Sequence, residues 1–328
     1  MSQKIDVLGI GNAIVDVLVE KPDAFLESHG LPKGGMTLID ADRAIEIYQE
    51  LEDPRQCSGG SAANTLVGVA SLGGAATYVG KVRNDSLGAL FRSDIREAGV
   101  IFETAAAESG PPTARCVIVV TPDAQRTMQT FLGISAELSV TDLDPEAIAA
   151  AKITYLEGYL WDPPAAKEAF LEAARIAHEA GRTVALTLSD PFCVERHRDE
   201  FHRLIEGPID LLFANEDELL ALYRTSDLDE AIRGLTQHDV VGAVTRGPKG
   251  SILLAGGDVH PVDAAPVGKV VDTTGAGDLY AAGVLFGHAQ GLDWPQSGRL
   301  GSMAAGEIIS HFGARPLESL AERARSIL

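Results

Sequence analysis

Gly275-Ala276-Gly277 followed at once by Asp278 sets three residues with little or no side chain against a carboxylate. Val270-Val271 leads into this run through Asp272-Thr273-Thr274, and Leu279-Tyr280-Ala281-Ala282-Gly283-Val284-Leu285-Phe286 continues it as a small-residue apolar helix. The helix is predicted to begin near Gly275. Its first amides would then be unpaired, unshielded and at the positive end of the helix dipole, which makes an anion site. Asp278, one turn in, would face the same cleft. A carboxylate there is a handicap for anion binding alone, because like charges repel. It is suited to taking a proton from a hydroxyl while the amides hold a phosphoryl group. An isolated Gly-x-Gly-Asp reads more simply as an acidic first turn favoured by the dipole. The decision therefore rests on the rest of the chain.

A second Gly-rich turn, Ser58-Gly59-Gly60-Ser61-Ala62-Ala63-Asn64-Thr65, also feeds a small-residue helix. Paired glycines let a ligand approach the backbone and can hinge it. Asn64 carries a donor and an acceptor, which suits a sugar hydroxyl. Close helix–sheet packing would explain the same small residues. Asp16 places a charge inside the strand-like Ile14-Val15-Asp16-Val17-Leu18-Val19. Gly9-x-Gly11 suggests a dinucleotide turn, but isoleucine occupies position 14 where the third glycine belongs, so that reading is set aside.

Composition narrows the partners. The 328 residues suit one large α/β domain or two smaller ones, and 47 acidic against 27 basic residues give a net charge of −20. Such a surface disfavours nucleic acid and anionic membranes, though not a nucleotide held at a local positive site. Cys57, Cys116 and Cys193 lack metal or redox spacing and read as reduced thiols. Histidines show no ligand spacing, so no protein-built metal site is expected. With no long apolar run and no signal-peptide core, the expectation is a cytoplasmic protein.

The elements that must carry these residues follow from periodicity. Strands are expected at Ile5–Ile10, Ala76–Val79, Ile153–Leu156, Thr183–Leu188, Ile209–Phe213 and Val240–Thr245. Helices are expected from Asp85 to about Ala98 and at Pro164–Ala180, Val194–Ile205, Glu216–Tyr223 and Gly275–Gln290. Regular alternation from Ile153 onward predicts a three-layer α/β/α domain with a mostly parallel sheet, where ligands gather beyond the carboxyl ends of the strands. The strand–turn–strand pattern of 112–130 stands apart and predicts a small antiparallel sheet. With the segments around 13–20, 31–60 and 103–130, it is read as a β-rich lid on one domain spanning 1–328.

Gly59-Gly60-x-x-x-Asn64, Asn215-Glu216-Asp217-Glu218 and Asp272-Thr273-Thr274-Gly275-Ala276-Gly277-Asp278, in this order and spacing, resemble the PfkB (ribokinase-like) family of carbohydrate and nucleoside kinases. The similarity runs from Gly9-Ile10-Gly11-Asn12 to Ile308-Ile309-Ser310-His311. The resemblance implies a ribokinase-like fold and ATP-dependent phosphorylation of an exocyclic hydroxymethyl group. By that resemblance Asp278 is the base and the amides of Gly275, Ala276 and Gly277 are the anion hole. Asp16, Gly60 and Asn64 match positions that hold ribosyl hydroxyls, with Gly59-Gly60 as the lid hinge. Asn215 and Glu218 match a motif that organises Mg²⁺ and phosphate through water. Thr245, Gly247 and Gly250 fall in the turn bordering ATP. Asp272 and Thr274 match positions that, in many members, help bind a monovalent cation such as K⁺.

Several stretches, among them Leu186-x-Leu188-Ser189-x-Pro191-Phe192 and Ile309-Ser310-His311-x-Gly313-Ala314, resemble the adenosine kinase branch. A nucleoside needs an apolar slot for its base. Ile14, Met36, Met128, Leu132, Tyr159 and Phe192 could line it by resemblance, although apolar lid residues also form a lid's own core. Arg126 resembles a basic residue that lid closure brings to the phosphates. The alternatives are a ribokinase- or fructokinase-like sugar kinase and a nucleotide-binding regulator without catalysis. The latter has no need of an intact Asp278. Monomer and homodimer both remain open, an unprotected lid edge strand favouring the dimer.

Overall fold

The computed structural model describes residues 4–123 and 125–328. Thirteen strands form two sheets. In chain order they are β1 (Ile5–Ile10), β2 (Ile14–Glu20), β3 (Met36–Leu38), β4 (Arg55–Gly59), β5 (Ala76–Val79), β6 (Ala114–Val120) and β7 (Arg126–Phe131). There follow β8 (Ala151–Glu157), β9 (Thr183–Thr187), β10 (Leu211–Asn215), β11 (Val241–Thr245), β12 (Ser251–Ala255) and β13 (Asp258–Val262). The large sheet has the order β13-β12-β11-β10-β9-β8-β1-β5, and the small one β3-β7-β6-β2-β4.

From β11 through β5 every pairing in the large sheet is parallel. Its strands read as continuous apolar runs because both faces are covered, by one apolar cluster on each side. Helices join the strands as the βα alternation predicts. The expected α/β/α fold is present. Two antiparallel strands, β12 and β13, extend the far edge as a hairpin turning at Gly256-Gly257, a feature the periodic reading passed over.

The small sheet departs from expectation. It is mixed: β2 runs parallel to β6 and β3 to β7, while β2–β4 and β6–β7 are antiparallel. The long excursion between β2 and β6 lets the chain return in the same direction, which a hairpin cannot do. The small sheet is accompanied by the helix Ala41–Gln49, whose first turn Asp40 caps, and a helix within 21–50 is no departure from the sequence reading. Nor does 103–113 join the small sheet: Ile101 bridges Thr77 and Ala107 bridges Arg83 on the large body.

Helix Ala276–Ala289 lies between helices Ser61–Ser71 and Trp294–Ile308. A Cβ on Gly68 would fall 2.6 Å from the Cβ of Ala282, and one on Gly283 only 2.3 Å from the nitrogen of Gly301. The small residues thus serve close packing, which holds two helix N-termini side by side. Among the described residues, no helix is long and apolar enough to cross a membrane.

Candidate active site

Gly275 caps helix Ala276–Ala289 with φ +77°, and no side chain caps this end. Such a φ costs glycine nothing and most residues a good deal. The Ala276 amide turns back to Thr273 O at 3.2 Å. Among the described residues, the amides of Gly275 and Gly277 have no acceptor. Of the three amides expected to form a cradle, those of Gly275 and Gly277 are left open, whereas the turn engages that of Ala276.

Asp278 faces the second helix. Its Oδ1 accepts the Ser61 hydroxyl at 2.6 Å and its Oδ2 the Asn64 amide at 3.0 Å. Burial pushes the Asp278 carboxyl above the usual carboxylate range, while Ser61, Asn64 and the Arg315 charge oppose the push. The carboxylate is thus oriented yet basic. Asn64 keeps a buried Oδ1 without a partner, an acceptor waiting beside the carboxylate.

Gly60 begins helix Ser61–Ser71 at φ +98°, and a Cβ there would lie 2.2 Å from Asn12 O. A Cβ on Gly59 would meet the Asp16 carboxylate at 2.4 Å. The glycine pair therefore makes room for Asp16 on the neighbouring strand. Burial pushes Asp16 up to about 6 against the charges of Arg315 and Arg126. Asp16, Gly59, Gly60, Asn64 and Asp278 are brought together as the motifs suggested.

Three residues of this site escaped the sequence reading. Ser61 lay inside the Gly-rich motif and was read only as small. Arg315 reaches Ser58 O, Ser58 Oγ and Ala63 O from the far end of the chain. Glu157 ends β8 and accepts from Asn12 N at 3.1 Å, Asn12 Nδ2 at 2.8 Å and Ala62 N at 2.8 Å. Burial raises its carboxyl to about 7. The rule that ligands gather at strand carboxyl ends was the signal available for Glu157.

On the other side of Gly277 lies a cavity of about 560 Å³. Thr245, Gly247, Gly250, Val267 and Ile309 line its walls, and Thr273, Ala276 and Gly277 its inner end. Its walls are mainly aliphatic, with polar groups at the turn after β11, which fits a planar base with a phosphate tail directed at the helix start. Asn215, Glu218 and Thr274 do not line it. Asn215 and Glu218 instead close a capping box: Asn215 Oδ1 accepts from Glu218 N at 2.8 Å, and Glu218 accepts from Asn215 N at 3.0 Å and Nδ2 at 2.6 Å. Burial and the Asp190 and Asp217 charges hold Glu218 near about 7.

The apolar residues expected in a base slot divide. Ile14, Met128 and Leu132 pack together against Ala114, Cys116 and Ile118 on one face of the small sheet. Met36 stands opposite Met128 on the edge strand β3 but is about half exposed. Tyr159 is exposed on the turn after β8, where it feels the charges of Asp190, Asp278 and Glu218. Phe192 is 73% exposed at the start of helix Pro191–Glu206, which Asp190 caps. Arg126 does reach the site, where it pairs with Asp272 and Thr274.

Sequence comparison fits this geometry: residues 29–320 match the pfkB family carbohydrate kinase family. The chain belongs to that family. It is a phosphotransferase with an alcohol group as acceptor. An adenosine kinase from Sinorhizobium meliloti shares 51% identity with this pfkB kinase, covering 99% of this chain and 100% of that one at a TM-score of 0.92. A probable sugar kinase from Rhizobium etli shares 47%, covering 99% of each at the same TM-score. An ATP-dependent ribose-1-phosphate kinase of Halopiger xanaduensis is 34% identical over 252 residues, 74% of this chain and 78% of that one.

Proposed function

We propose that this pfkB kinase transfers a phosphoryl group from ATP to the 5′-hydroxyl of a ribonucleoside, adenosine to AMP, with Asp278 as the base. The observation that carries the reading is the position of Gly277. It lines the aliphatic cavity on one side and precedes the oriented carboxylate on the other, so donor and acceptor would meet at one helix start. Asp278 takes the hydroxyl proton, and the Gly275 and Gly277 amides bind the oxygens of the transferred group. Asp16 and the unpartnered Asn64 Oδ1 accept from ribosyl hydroxyls. The small sheet acts as a lid hinged at Gly59-Gly60, with Ile14, Met128 and Leu132 against the base.

ATP with Mg²⁺ supplies the phosphoryl group and neutralises its oxygens. Both Glu218 oxygens are held by Asn215, which fits a carboxylate acting on the ion through water. The likeness to the adenosine kinase of Sinorhizobium meliloti supports the nucleoside over a free sugar. The probable sugar kinase of Rhizobium etli keeps a sugar acceptor as the second reading.

Mg-ATP, adenosine and purified protein are incubated, and the product is examined by ³¹P NMR. The expected product carries phosphorus on the 5′-oxygen, and 5′-deoxyadenosine is not consumed. Phosphorylation at another hydroxyl would overturn the placement of Asp278.

A further inference from the structure

A charge pair joins the two sheets beside the anion cradle. Arg126 opens β7 of the small sheet, and its Nη2 donates to Asp272 Oδ2 while its Nη1 donates to Thr274 Oγ1 at 2.5 Å. The guanidinium lies 6.0 Å from the centre of the Phe312 ring. Both charged side chains are buried, at 11% and 5% exposure. Asp272 is also held from its own side: Oδ1 accepts Thr274 N–H at 3.0 Å and Oδ2 accepts Gly313 N–H at 3.0 Å.

Every group bonded to this carboxylate is a donor. A cation needs several oxygen lone pairs directed at a common position, whereas three N–H groups already take most of those on Asp272. The charge is already balanced by a guanidinium whose fork matches a carboxylate and a hydroxyl together. The residues therefore do not fit the monovalent cation that Asp272 and Thr274 were expected to hold.

We propose that Arg126 is a positioning residue, the built-in cation that neutralises Asp272 and makes this kinase indifferent to K⁺. Thr274 is held through both its backbone amide and its hydroxyl, and Gly275 is the next residue. The same pair therefore fixes the turn whose amides point outward. Arg126 belongs to the small sheet, so docking of that sheet and assembly of the cradle become one event. Without the guanidinium, a bare carboxylate would stand beside a site that must attract phosphate, and the two would repel. Its removal would also leave a buried carboxylate and hydroxyl with room for a small cation.

The inference rests on the kinase reading only for its rate measurement. Wild type, Arg126→Ala and Arg126→Lys are compared in K⁺ and in choline at matched ionic strength, by thermal midpoint and separately by turnover. Wild type is expected to show the same midpoint and turnover in both salts. Arg126→Ala is expected to lose roughly tenfold or more in kcat/KM for ATP. It should recover part of that loss, with a parallel rise in midpoint, in K⁺ or dilute guanidinium but not in choline. Arg126→Lys keeps a charge without the fork and stays indifferent to K⁺. A K⁺-specific gain in wild-type midpoint or turnover would overturn the proposal, and this measurement decides even where Arg126→Ala does not fold. So would an Arg126→Ala protein with wild-type midpoint and turnover in both salts. Failure of wild type to phosphorylate any acceptor would instead count against the kinase reading, while the midpoints still decide the role of Arg126.

Discussion

Among the helix starts with an acidic residue in the first turn, two are put to opposite uses. At Asn215–Glu218 the cap residue and the carboxylate satisfy each other, and that end of the helix is closed. At Gly275–Asp278 the cap is a glycine, no side chain answers the amides, and the carboxylate turns across to Ser61 and Asn64. A helix end completed by its own sequence is a structural device. One left incomplete, with its acid held by a neighbouring helix, is an offer to a ligand. The difference comes down to what stands at the cap position.

That contrast can be broken most severely at the carboxylate. Asp278→Asn keeps the shape and the two partners but loses the base, and kcat is expected to fall about 10²- to 10⁴-fold with an unchanged circular dichroism spectrum. Gly275→Ala attacks the open cap itself: it forces a side chain into φ +77° and to 3.0 Å from the Ala314 Cβ. Turnover should drop roughly 10- to 100-fold, with a lower thermal midpoint. A Gly275→Ala enzyme with wild-type kcat would show that the amides do not matter.

Ser61→Ala tests the link between the helices. It removes a donor that stabilises the Asp278 carboxylate, so the folded pKa rises further. The base works only when ionised, so activity is lost as pH falls through that pKa. The acid limb of kcat should move to higher pH, with alkaline turnover within roughly threefold of wild type. An unmoved limb would mean that Ser61 does not tune the base. Asn215→Ala opens the closed helix start and should cost about 1 kcal/mol in denaturant unfolding. Its rate loss should stay under roughly tenfold.

Much of this was legible because it is local. Gly59-Gly60-x-x-x-Asn64 and Gly275-Ala276-Gly277-Asp278 each place their residues through one turn, and the βα alternation placed the turns at the strand ends. Residues that act across the chain were not legible. Arg315 works on Ser58 through contacts spanning most of the sequence, and nothing in Gly313-Ala314-Arg315 announces it. The mixed pairing of the small sheet was hidden for the same reason, since β2 and β6 meet only after a long excursion. Which of the three amides the Thr273 carbonyl takes was hidden too, because small residues carry no sign of it. Phe192 followed from resemblance alone, and its exposure after the Asp190 cap had no signal in the sequence.

ADP release with Mg-ATP and a panel of adenosine, inosine, guanosine, ribose and fructose separates a nucleoside acceptor from a free sugar. Turnover is expected with adenosine at low concentration and none with the free sugars. Turnover with ribose or fructose in preference to adenosine would contradict the nucleoside assignment and the role given to Ile14, Met128 and Leu132.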